Sequence, residues 1–123
     1  MTQEEKQLLL KDLCGRLSHF ENWVQYDGKD YVVIGYGHGR VSLLPSLFSS
    51  AVGPCPLVEE VRPYLRPMSS MTEEEKEEFI SFNNTDGCYI KTMDFCHAHH
   101  LDNRGLIPMG LALEAPEDMY KTA

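Results

Sequence analysis

The chain of 123 residues lacks the long apolar run that a membrane-spanning helix requires. Such a helix takes roughly 20 predominantly apolar residues, and no segment approaches that length. The first six residues, MTQEEK, are acidic and polar, whereas a secretory signal begins with basic residues followed by an apolar stretch. These absences predict a cytoplasmic protein with no membrane contact.

Cysteine motifs are also missing, although the chain has four cysteines. Cys14, Cys55, Cys88 and Cys96 form no CxxC pair, which disfavours a zinc-ribbon or redox motif. A cytosolic setting keeps thiols reduced, and Cys14 falls on the apolar side of the predicted first helix. Their spacing does not decide whether Cys88 and Cys96 form a disulfide.

Basic residues are scarce, since 11 Lys and Arg face 19 Asp and Glu, giving a formal net charge of -8. An acidic protein is not drawn to phosphate backbones or anionic lipids, so nucleic acid is not an expected partner. A nucleic-acid-associated regulator remains as a second alternative if four arginines gather into a local basic patch. These are Arg40, Arg62, Arg66 and Arg104.

The signatures of phosphate-binding and nucleophilic enzymes do not occur. The GYGHG run at 35–39 has neither the spacing of a dinucleotide fingerprint nor a Lys-Ser/Thr pair, so it indicates a turn. No nucleophile elbow is present, and the glutamates at 73–78 indicate a solvated helix face. We therefore predict no catalytic residue and no cofactor.

Helical patterns occur at about 3–14, 73–82 and 93–102. Thr2 and Glu5 have the spacing of a capping box, and Thr72 and Glu75 repeat it at the second helix. The third helix would carry the histidine-rich segment and end near Asn103 or Gly105.

A β-meander is predicted over 23–44, with a hairpin turn at Asp27-Gly28. Further short strands are expected at 57–61, 88–91 and 111–113, and an extended connector at 62–67, where each proline disfavours helix in its predecessor. The prediction is one α+β domain over 1–123, frayed after about 116, with about three helices. Its sheet is an open antiparallel meander or a partial SH3-like barrel. One core is expected to bury Leu9, Leu13, Val33, Leu43, Phe79 and Leu101.

Three of the five histidines fall in the segment CHAHHLD at 96–102. On a helix, Cys96, His99 and His100 would share one side, and these residue types suit zinc. A metal-binding protein or metal-dependent hydrolase is therefore the alternative function. No second ligand pair completes a site elsewhere, so the favoured interpretation places His97 and His100 in the packing and His99 toward solvent. We predict no metal.

Several segments resemble a large group of small uncharacterised proteins of gut anaerobic bacteria and their phages or prophages. They are RPYLRPMSSMTEEE at 62–75, AHHLDNRGLI at 98–107 and GLALEAP at 110–116, together with the opening from Lys6 to Leu13. The resemblance implies a mobile-element setting and carries no activity. It favours an accessory protein without catalytic activity that binds a host or phage protein. Candidate contact residues are Arg62, Tyr64, Arg66 and Tyr36, with the edge of the meander and the loop at 45–56.

Overall fold

The computed structural model describes residues 1–17, 19, 21–46, 53–83, 88–116 and 119–120, without the side chains of 83, 88 and 89. It contains three α-helices and a five-stranded sheet in an α+β arrangement, as predicted. The elements in chain order are α1 Gln3–Arg16, β1 Trp23–Tyr26, β2 Lys29–Gly37, β3 Arg40–Leu44, β4 Arg62–Leu65, α2 Glu73–Asn83, α3 Cys88–Ala98 and β5 Leu113–Glu114. Single 3₁₀ turns occur at Val58–Glu60 and Met68–Ser70.

The sheet has the strand order β3-β2-β1-β4-β5 and is mostly antiparallel. Only β5 runs parallel to its neighbour, β4. The meander over 23–44 is confirmed, and an SH3-like closure is not. The outer edge of β3 is covered by the segment 53–57, because the amides of Val41 and Leu43 donate to the carbonyls of Pro56 and Pro54.

Two turns of the same kind join the strands of the meander. Asp27 and Gly28 both have positive φ, 52° and 75°, as a type I′ hairpin requires. His38 and Gly39 repeat this at 53° and 75°. Strand β2 therefore continues through Gly37, and the second turn is shorter than the run at 35–39 suggested.

Both capping boxes form as predicted. The Thr2 hydroxyl accepts from the Glu5 amide, and the Glu5 carboxylate accepts from the Thr2 amide. Thr72 and Glu75 make the same reciprocal pair at 2.9 and 3.2 Å. Each box satisfies two amides that a helix start leaves unpaired. In the described part of the chain, no helix has both the length and the apolar character to span a membrane.

The interior consists of two clusters where one was expected. The larger lies between α1 and the sheet and includes Leu9, Leu13, Val33 and Leu43. The smaller is buried at Phe95, Cys96 and Leu101, with Met68, Met71, Phe79 and Phe82 packed against it and partly buried. Phe79 is therefore half-buried and, like Leu101, belongs to the second cluster.

The strand predicted at 57–61 and the connector predicted at 62–67 were both wrong. The segment Val58–Glu60 forms a 3₁₀ turn, and the strand is β4, in the stretch assigned to a connector. Pro63 is tolerated in β4 opposite Val24. The prolines indicated extended backbone correctly, because each disfavours helix in its predecessor, but the extended segment pairs with β1 as a strand.

The third helix also differs from its prediction. It runs from Cys88 to Ala98, so residues 88–91 are helical and the expected strand there was wrong. His99 and His100 lie beyond its end. The helix closes with a Schellman motif, in which Leu101 donates to the Cys96 carbonyl and His100 to that of His97. His100 occupies the left-handed position, φ 59°, that glycine usually takes.

Candidate functional site

A buried ion-pair cluster connects α1 to the segment after α3. Arg16 is 1% exposed and Asp12 is 0% exposed, and the guanidinium donates to both carboxylate oxygens at 2.9 and 3.1 Å. Arg104 donates to the same carboxylate at 2.8 Å. Arg16 also donates to the Leu101 carbonyl and to Asn103. A carboxylate shared by two guanidinium groups offsets the cost of burying these charges.

His97 packs against this cluster from α3. A Cβ at position 15 would lie 2.8 Å from its Cε1 atom, so Gly15 is required for the close approach of α1 to the ring. The helix continues past this glycine to Arg16. Burial, together with the positive charge of Arg16, lowers the pKa of His97 to about 4. His97 is therefore a neutral packing residue near neutral pH.

His100 is buried through a different contact. Its ring stacks on Tyr120 with centroids 3.7 Å apart and planes 9° from parallel. Burial and the charge of Arg16 lower its pKa to about 4. The Tyr120 hydroxyl accepts from the Trp23 amide and donates to the Tyr64 carbonyl, at 2.9 Å in both cases. The expectation of a frayed segment after 116 thus does not hold at Tyr120.

A second ion-pair group joins α2 to the end of α3. Arg66 binds both oxygens of Glu75, at 2.8 and 2.9 Å, and His99 Nδ1 lies 2.8 Å from the same carboxylate. The hydrogen bonds from Arg66 lower the pKa of Glu75 to about 2. The His99 ring also lies against Phe95, with centroids 4.4 Å apart. His99 is therefore held in a fixed orientation.

The three candidate metal ligands do not face one another. Cys96 is fully buried, and burial raises the pKa of its thiol, whereas metal binding needs the thiolate. His99 Nδ1 contacts the Glu75 carboxylate, and the His100 ring stacks on Tyr120. Within the residues that the structure describes, no group of three or more His, Cys, Asp and Glu side chains is placed to hold a metal ion. The expectation that the three would share one side of a helix was wrong, because α3 ends at Ala98.

A surface groove of about 620 Å³ lies between α2 and α3. We call it the α2–α3 groove. Its lining residues are His19, Glu78, Phe82, Lys91, Asp94, Phe95, Ala98 and His99. The rings of Phe82 and Phe95 meet edge to face, with centroids 5.8 Å apart. Ile80 and Ile90, on the same two helices, are 56% and 72% exposed.

The four predicted contact residues do not form one surface. Tyr64 is buried, and its hydroxyl donates to Asp30 at 2.6 Å. Arg66 is engaged with Glu75, whereas Arg62 and Tyr36 are exposed on β4 and β2. The arginines likewise do not gather into a patch, since Arg66 and Arg104 are each paired with a carboxylate. Of the loop at 45–56, residues 47–52 lie outside the described residues.

Sequence reasoning missed the groove because its lining comes from three separate stretches, around positions 19, 78–82 and 91–99. One signal was present: Phe82 and Phe95, which line the groove, are aromatic residues of the predicted helical segments 73–82 and 93–102. Comparison of the chain with protein-family models, with curated proteins and with solved structures finds no match to any of them.

Proposed function

We propose that this is a binding protein without catalytic activity, which contacts a host or phage protein through the α2–α3 groove. The observation that carries the proposal is the α2–α3 groove itself, whose walls include the edge-to-face pair Phe82 and Phe95. Concave surfaces lined by aromatic side chains and a few polar groups are typical of binding sites. A partner seated there would remove apolar surface of the groove from water, which stabilises the complex.

The composition of the groove supports binding over nucleophilic catalysis. Among the residues that the structure describes, the lining includes histidines and carboxylates but no serine, threonine or cysteine. Cys96 is buried as a free thiol and is not among the lining residues. An activated nucleophile needs a base within hydrogen-bond reach, and the groove residues offer no such pair.

The setting of this function rests on the resemblance to small proteins of gut bacteria and their phages. We infer a cytoplasmic accessory protein of a phage or another mobile element. The acidic chain disfavours nucleic acid as its partner, because both would carry negative charge.

The proposal is tested with matched surface variants of the whole chain. Phe82→Arg with Ala98→Arg should abolish binding to the partner, because both residues line the groove and the long side chains would fill it. Ile34→Arg with Met109→Arg should leave binding intact, since these two residues are 52% and 45% exposed and lie outside the groove. Each tagged variant is used for quantitative affinity capture from the bacterium that carries the gene. Every captured protein is then purified and its affinity measured by calorimetry.

A partner bound equally well by the groove variant, or lost equally in the control variant, contradicts the assignment. Circular dichroism of both double variants verifies that they are folded. A captured protein alone is not support, because only the difference between the two double variants locates the contact.

A further inference from the structure

Resting on the proposed function, we infer that the α2–α3 groove receives a lysine or arginine side chain from a basic segment of the partner protein. The inference follows from the chemistry of the groove walls and from the charge of the helices around it.

Two carboxylates in the groove are available to a cation. Glu78 and Asp94 both line it and are both exposed. In the part of the chain that the structure describes, neither carboxylate forms an ion pair; the acids that do are Asp12, Glu59, Glu73 and Glu75. A carboxylate without an internal partner can accept charge-assisted hydrogen bonds from an ammonium or guanidinium group.

His99 is a further polar residue of the groove wall. Glu75 is ionised at any pH near neutral, because its pKa is about 2, so its carboxylate can only accept hydrogen bonds. The 2.8 Å contact therefore places a proton on His99 Nδ1 and orients the side chain. Because His99 lines the groove, the neighbouring pair of Arg66 and Glu75 positions part of the wall.

Phe82 suits the apolar part of a basic side chain. It lines the groove and is half-buried, so the methylene stem of lysine or arginine can pack on its ring. A cation near the face of an aromatic ring is also attracted by its quadrupole. An uncharged apolar side chain would use the ring and leave the two carboxylates without a charged partner.

The surrounding charge favours the same occupant. Helix α2 contains five glutamates and one lysine, and the chain as a whole carries a formal charge of -8. This field attracts a basic segment and repels a second copy of the chain, nucleic acid and anionic lipid. Lys91 is the lysine of the groove itself. An incoming cation must therefore displace it or bind beside it, so Lys91 should weaken binding.

The test uses short labelled peptides of one length, each with a single variable central residue and neutral flanks. Central lysine and arginine are compared with norleucine, which has a similar shape without charge, and with glutamate. Affinity for the full chain is measured by fluorescence anisotropy at two salt concentrations, and the contact is located by amide chemical shifts. Lysine and arginine peptides should bind about tenfold more tightly than the norleucine peptide, with weaker binding at high salt.

Groove variants identify the acceptors. Glu78→Gln with Asp94→Asn should reduce the affinity of the lysine peptide about tenfold. Glu4→Gln with Glu114→Gln changes the net charge equally at exposed positions outside the groove and should leave affinity within about twofold at high salt. Lys91→Ala should strengthen binding.

Three outcomes overturn the inference. They are equal affinities for lysine and norleucine peptides, equal losses in the two double variants, and binding of spermine without binding of any peptide. Failure of the proposed function is distinguishable, because that function is tested with the natural partner and with Phe82→Arg and Ala98→Arg. A partner that is lost in this double variant but unaffected by Glu78→Gln with Asp94→Asn leaves the function standing and removes the basic segment.

Discussion

The side of the molecule where α1 covers the sheet and the side formed by α2 and α3 differ in how they exclude water. The first buries aliphatic side chains such as Leu9, Leu13 and Leu43 almost completely. Among the described residues, the second buries Phe95, Cys96 and Leu101, and the side chains packed against them stay half-buried; these are Met68, Met71, Phe79 and Phe82. The sheet side therefore buries more apolar surface than the helical side and should contribute more to stability.

The two sides are joined through polar groups. Asp12, Arg16 and Arg104 lie where α1 meets the segment after α3, and Arg66 with Glu75 ties β4 to α2. Buried ion pairs add little stability over apolar packing, but they fix one arrangement of the parts they connect. The fixed orientation of His99 beside the groove is an instance of this.

The largest expected effect comes from cutting the connection between the sides. Asp12→Ala leaves two guanidinium groups, one of them fully buried, without their shared carboxylate. It should lower the free energy of unfolding by about 3–5 kcal/mol, measured by urea denaturation. Glu59→Ala, which removes the partly exposed pair with Lys6 at the surface, should cost less than about 1 kcal/mol. Equal costs would mean that the buried cluster does not join the two sides.

Truncation in each cluster measures the contrast directly. Leu13→Ala should cost about 2–5 kcal/mol, because the side chain is 2% exposed and leaves a cavity. Phe79→Ala should cost about 1–2 kcal/mol, since the ring is half-buried and water can fill the space. The two variants are compared in the same denaturant series. A larger loss for Phe79→Ala would reverse the assignment of the main core.

Acid should act on the junction between the sides. His97 and His100 have folded-state pKa values of about 4, below the ordinary value of 6.5, so the unfolded chain binds their protons first. Their stabilising contribution is complete above pH 6.5 and is lost as the pH falls toward 4. Between pH 7 and pH 5 the free energy of unfolding should fall by about 2 kcal/mol for each of the two histidines. His97→Gln should flatten this dependence and His38→Gln, at an exposed turn, should not.

Position 100 separates backbone strain from packing. His100→Ala keeps the left-handed backbone and loses the stack on Tyr120, so it should be destabilising. His100→Gly loses the same stack but relieves the strain, and should be more stable than the alanine variant by about 1 kcal/mol. Thermal melts of both proteins decide this. Identical melting temperatures would show that the left-handed conformation costs nothing here.

The smallest expected effect is that of a chelator. Cys96, His99 and His100 each contact other parts of the protein and do not converge. EDTA should therefore leave the melting temperature unchanged, whereas a structural zinc site would make folding depend on metal. Elemental analysis of the purified protein accompanies the melt. Stoichiometric zinc, together with a large fall in melting temperature on chelation, would show that these residues form a metal site and not packing contacts.

Local chemistry predicted the parts of the fold that depend on neighbouring residues. The capping boxes at Thr2 and Thr72 and the turn at Asp27-Gly28 are set by contacts within four residues, and all three form. The end of α3 was misplaced because a histidine takes the left-handed position, where glycine is the usual signal.

The candidate site was less accessible to sequence reasoning. Arg66 and Glu75 are nine residues apart, His99 is 33 residues from Arg66, and nothing local requires the three to meet. Histidines are concentrated at 96–102, which made this segment the candidate site in the sequence. In the structure most of these histidines are packing residues. The groove instead depends on how α2 and α3 pack, which a single sequence does not encode locally.

The Tyr120 hydroxyl has a consequence for the order in which the protein folds. The hydroxyl bonds to the Trp23 amide of β1 and to the Tyr64 carbonyl of β4, at a place where the two strands would otherwise bond to each other directly. Tyr120 is 97 residues from Trp23 in the chain. Strand β1 is synthesised early, yet these bonds cannot form until residue 120 has left the ribosome. Contacts of such long sequence separation slow folding, because the intervening chain must be ordered first. Until then the amide of Trp23 remains open to exchange with water.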